Sequence, residues 1–123
     1  MGETGPVIDF ACLEAIAGLQ AAGGEDLMKN VIQIYLSHSL GLMRKLDEAV
    51  AADDRKAIME TAHTLKSSSA QLGAGRLAAL LQRIELMGRN GETALAPRTQ
   101  LEVREEYEAA RAVLEVYLQE KSR

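Results

Sequence analysis

Tryptophan is absent, phenylalanine occurs once and tyrosine three times, so aromatics make up only 3% of the 123 residues. With no aromatic platform and no basic patch, the chain lacks the features that bind nucleic acid, and none is expected as a partner. The single cysteine, Cys12, excludes an internal disulfide and every multi-cysteine zinc spacing. Its place on the apolar face of a helix makes it an expected core residue. No apolar run approaches the roughly 20 residues that cross a bilayer, so no membrane span is expected. Met1-Gly2-Glu3-Thr4-Gly5-Pro6 lacks the charge and apolar segment of a secretory signal. The expectation is a soluble, cytoplasmic, monomeric protein. Glycine-rich phosphate loops and catalytic triads are also missing, which argues against a self-contained kinase or hydrolase.

What is present favours helix. Apolar residues make up 47% of the chain, enough to offset the entropy of ordering one compact domain. Ala, Leu and Glu dominate, there are two prolines, and no alternating strand pattern or internal repeat appears. Acids and bases are interspersed, leaving a net charge of −4.

Residues 1–8 read as a flexible lead-in and 9–121 as a single domain. Asp9 is a candidate cap for a short first helix with Phe10, Leu13, Ile16, Ala17 and Leu19 on one face, ended by Ala22-Gly23-Gly24. A long second helix is predicted from Glu25 to about Ala52, with Leu27, Val31, Ile34, Tyr35, Leu42, Leu46, Ala49 and Val50 as its apolar face. Ser37-His38-Ser39 and Gly41 mark a possible bend in it. Asp53-Asp54 caps a third helix to Leu72, whose inward stripe is Ile58, Ala62, Leu65, Ser69 and Leu72. Gly73 suits the left-handed residue after that helix. The fourth runs from about Ala74 to Arg89, with Leu77, Leu80, Leu81, Ile84 and Met87 inward, and stops at Asn90-Gly91. The fifth begins near Ala94 to Pro97, turns Val103, Tyr107, Ala110, Leu114 and Tyr117 inward, and frays at Lys121-Ser122-Arg123. The links are short, which implies an all-α, antiparallel up-down-up-down four-helix bundle with the N-terminal helix capping one end.

One of the two histidines sits where chemistry is possible. His63 lies about 100° around the third helix from the core residue Ala62, so it flanks the core and keeps a ring nitrogen accessible. Lys66, three residues on, projects along the same side, where its ammonium would attract an anion carried by the imidazole. Ser67 and Ala70 keep that face low enough for another protein to approach. Across the turn at Gly73, Gln82, Glu85 and Arg89 form a polar stripe on the fourth helix. His63 is ten residues before Gly73 and Glu85 twelve after it, so the two come level. Glu85 is thus placed to accept from one imidazole nitrogen, and Arg89 to lend charge to a phosphoryl group. His38 is expected at the surface, and a metal site built from His38, His63 and Glu85 lacks the usual paired ligand spacing.

The segment His63-Thr64-Leu65-Lys66-Ser67-Ser68-Ser69-Ala70-Gln71-Leu72-Gly73-Ala74, followed by Leu77 and Glu85, resembles the signature of histidine-containing phosphotransfer (HPt) domains. The resemblance extends over the whole chain. It implies a phosphorelay carrier: His63 is phosphorylated, commonly on Nε2, Lys66 stabilises the phosphoryl charge, and Gly73 shapes the turn. It further implies response-regulator receiver domains and a sensor (hybrid) histidine kinase as partners. The chain would bind no cofactor itself, with Mg²⁺ expected in the receiver. The position after the lysine, usually glycine in the family, is Ser67 here. Its hydroxyl adds little bulk and can bond the backbone or a phosphate. A helical docking module whose histidine is never phosphorylated is the competing function.

Overall fold

The structure, a computed structural model, describes residues 5–18 and 24–121. Among them are five helices: α1 (Phe10–Gly18), α2 (Gly24–Ala51), α3 (Arg55–Gln71), α4 (Gly75–Asn90) and α5 (Ala96–Lys121). Helices α2 to α5 form the expected bundle, each packed on the next and α5 closing back on α2. None of the described helices is long and apolar enough to cross a membrane.

Three links set the helix ends, each through a left-handed residue. At α2–α3 that residue is Asp53, with φ of 53°, and the next residue, Asp54, caps α3 by accepting from the Ala57 amide at 3.1 Å. At α3–α4 it is Gly73, with φ of 79°. There the Gly73 amide donates to Ala70 O at 3.0 Å and the Ala74 amide to Ser69 O at 2.9 Å, the paired bonds of a Schellman motif. Gly91, with φ of 73°, ends α4 in the same way.

The predicted stripe of α3 is buried in full. On α4, Leu77, Leu81 and Ile84 are buried while Leu80 and Met87 are half-buried, and on α5 Tyr117 is likewise at the edge. The face of α2 differs more. Its buried line is Met28, Ile32, Tyr35, Ser39, Met43, Leu46, Ala49 and Val50. The predicted Leu27, Val31 and Leu42 are half-buried flanks, and Ile34 is 56% exposed. The line passes through a serine, which an apolar pattern skips. Ser39 is compatible with the core because its hydroxyl pairs with that of Tyr107 at 2.7 Å. Helix α2 is unbroken from end to end, so the serines and Gly41 do not interrupt it.

Asp9 caps α1, accepting from the Ala11 amide at 3.0 Å. Phe10 stacks on Tyr117 of α5 with ring centroids 5.5 Å apart, and the Asp9 amide donates to Gly73 O at 2.8 Å, so α1 covers the end of the bundle that holds the α3–α4 turn. Ile8 is buried and Val7 half-buried against the core, so the chain is already packed before the cap. Cys12 is exposed, contrary to its expected burial. Leu13 takes the inward direction, and consecutive residues diverge by about 100°. The Ile16 and Ala17 side chains, Leu19 and the Ala22-Gly23 break lie outside the described residues.

Candidate functional site

The site depends on how closely α4 approaches α3. The core line of α4 continues past Ile84 to Gly88, which is buried. A Cβ at Gly88 would lie 2.8 Å from Arg55 O and 2.9 Å from the Met59 amide nitrogen. Only glycine permits this backbone contact. It draws α4 against α3 one turn before His63, beside a shallow groove whose lining includes Lys56, Met59, Gly88 and Arg89. The predicted residues did not include Gly88. The spacing 77, 81, 84, 88 carries the signal, once glycine is allowed as a core residue.

With the helices this close, Glu85 falls on the boundary of the core, and its side chain is only 3% exposed. An isolated carboxylate would not tolerate that burial. Three donors surround it. His63 Nδ1 lies 3.1 Å and Arg89 Nη2 2.9 Å from the same oxygen, Oε2, while Lys66 Nζ lies 2.7 Å from Oε1. Lys66 also donates to Gln82 Oε1 at 2.8 Å, a partner supplied by the polar stripe of α4. Burial pushes the Glu85 carboxyl up, but hydrogen bonds and charge from Lys66 and His63 outweigh it, and the group is held below its ordinary value.

An ionised carboxylate only accepts, so the proton of a neutral His63 ring sits on Nδ1 and the lone pair on Nε2. The His63 side chain is 60% exposed. The arrangement offers a nucleophilic nitrogen to a second molecule, on a ring whose tautomer is set from behind.

His63, Lys66, Glu85 and Arg89 are therefore brought together. Arg89 meets Glu85 in the structure, at the distance given above. Ser67 and Ala70 are exposed on the same helix. Gly73 is two turns and more from His63 along the chain, at the α3–α4 turn; a Cβ there would collide with the backbone of Asp9. His38 is exposed on α2. Among the described residues, no three His, Cys, Asp or Glu side chains converge as a metal site requires.

The Hpt domain family matches residues 30–113 of this chain. Among solved structures, the chain is similar to the crystal structure of histidine-containing phosphotransfer protein B (HptB) from Pseudomonas aeruginosa PAO1. The identity is 26%, the match covers 95% of this chain and 98% of that one, and the TM-score is 0.86. No curated protein matches.

Proposed function

The chain belongs to the Hpt domain family, whose work is histidine phosphotransfer in phosphorelay signalling, and we propose that His63 carries the phosphoryl group. Hpt domains act with receiver domains and histidine kinases. The specific reading is that His63 accepts phosphoryl from a receiver aspartate, or from a kinase, and passes it to another receiver. The observation that supports it is the exposed ring with Nδ1 tied to Glu85 and Nε2 open.

In the transfer, the Nε2 lone pair attacks phosphorus in line with the aspartyl oxygen. The N–P bond forms as the P–O bond breaks, and the electron pair leaves on the aspartate. The ring keeps its Nδ1 proton, and the positive charge that develops on it faces the Glu85 carboxylate. Lys66, within reach on the same side, compensates the phosphoryl oxygens. Mg²⁺ is assigned to the receiver. The protein acts as a monomeric, stoichiometric carrier and does not turn over alone.

The test is transfer of radiolabel from a phosphorylated receiver or cognate kinase. An acid-labile, alkali-stable label is expected on the wild type and on His38→Gln, and none on His63→Gln. A label that survives in His63→Gln would overturn His63 as the acceptor, and its absence from the wild type with several donors would overturn the reading in favour of a docking module.

A further inference from the structure

Arg89 has a reach and a charge that suit a phosphoryl group, yet the structure gives it to Glu85. Its Nη2 and His63 Nδ1 share one carboxylate oxygen, at 2.9 and 3.1 Å. We propose that Arg89 is a positioning residue that acts through Glu85, keeping Nε2 of His63 free of a proton and open to phosphoryl. This rests on His63 being the acceptor.

The argument is one of charge. A histidine paired with a buried carboxylate alone is stabilised as the imidazolium, because an opposite charge at this range favours the charged form. An imidazolium has no lone pair on Nε2 and cannot attack. The site therefore has opposing needs. Glu85 must orient the ring and face the charge that develops in transfer, but it must not attract a proton beforehand. Two fixed cations, Lys66 on Oε1 and Arg89 on Oε2, meet both needs. Together with one carboxylate they leave the cluster at +1 while the ring is neutral. A proton on Nε2 adds to that charge, and Arg89, tied to Oε2, disfavours it, while the phosphoryl oxygens are met by Lys66 on their own side. Arg89 also occupies part of Oε2, which weakens the pull of that oxygen on Nδ1–H.

The charged groups near the ring are few. On α3 they are Lys66, one turn ahead, Glu60, one turn behind and exposed, and Lys56, two turns behind in the groove that Arg89 also lines; on α4 they are Glu85 and Arg89. Helix α2 packs on α3 through the Tyr35–Ser69 pair and, among the described residues, brings no charged side chain within bonding distance of His63. Arg89 is at the rim, 55% exposed, so its effect is screened and modest.

The test follows the His63 imidazole through a pH titration by NMR, in the whole chain, for wild type, Arg89→Gln and Arg89→Lys. Arg89→Gln is expected to raise the His63 midpoint. Arg89→Lys, which keeps the charge, should stay near the wild type. In single-turnover phosphorylation, Arg89→Gln should shift the acid limb of the pH–rate profile upward by the same amount and preserve the plateau above it. A midpoint that stays put or falls in Arg89→Gln overturns the proposal. So does an equal loss of rate at every pH, the signature of an arginine that touches the phosphoryl group directly. If no donor labels the wild type, the carrier reading fails, and the titration still decides whether Arg89 governs the ring.

Discussion

Lys66 shows how a single residue serves two partners. Its position three residues after His63 placed it beside the ring, and the spacing said nothing about what would hold it there. In the structure its ammonium lies between Glu85 Oε1 and Gln82 Oε1, and the side chain is only 24% exposed. Removing it therefore acts twice. Lys66→Ala is expected to slow phosphoryl transfer by about tenfold or more, since a charge aimed at the developing anion is lost. It should also destabilise the fold by about 1–2 kcal/mol, because a buried carboxylate loses one of its cations and keeps Arg89. Single-turnover transfer and urea unfolding measure the two effects. An unchanged transfer rate would remove the charge-compensation role whatever the stability.

Among the elements, α3 and α4 carry the site, and two glycines in helix interiors behave in opposite ways. Gly88 lies where α4 meets the backbone of α3, and an added Cβ would press on Arg55 O and the Met59 amide, neither of which can rotate aside. Gly41, in the middle of α2, has nothing within 4 Å of such a Cβ. Alanine raises helix propensity at both by about 1 kcal/mol. Gly88→Ala is nonetheless expected to destabilise by about 1–3 kcal/mol, through overpacking, and to shift the His63 ring resonances as α4 is pushed away. Gly41→Ala should stabilise by about 0.5–1 kcal/mol. Equal effects in urea unfolding would refute the close-approach argument. Both glycines stand within helical patterns, and only the neighbouring helix distinguishes them.

For the molecule as a whole, two buried hydroxyl pairs link α2 to its neighbours. Tyr35 bonds Ser69 of α3 at 2.8 Å, and Ser39 bonds Tyr107 of α5 at 2.7 Å. Burial pushes the Tyr35 phenol up to about 12, with the Ser69 bond opposing and Tyr107 adding to the rise. Burial likewise raises Tyr107. In the unfolded chain both titrate near the ordinary value of about 10. The folded state thus holds these protons more tightly. That contribution to stability is full below pH about 10 and is lost as pH rises toward about 12. Urea unfolding midpoints should fall over that range, with phenolate absorbance appearing as the bundle opens, and Tyr35→Phe should flatten the dependence. A midpoint constant through the range would count against it.

The sequence alone determined the elements and their order. Caps such as Asp9 and Asp54, stops such as Gly73 and Gly91, and the three-four spacing of apolar residues are local signals, and short links leave an antiparallel bundle as their simplest packing. The segment from His63 to Gly73 is also local, and it was legible through its resemblance to the HPt signature. Tertiary structure decided how each helix is rotated about its axis and what lies opposite it. That rotation buried Ser39 and exposed Ile34 and Cys12, and it put Gly88 against α3. It also closed Glu85 among three donors and turned Arg89 onto the carboxylate. Spacing along one helix cannot specify these outcomes, because a side chain's surroundings depend on the register and distance of its neighbour, which every contact in the core sets jointly.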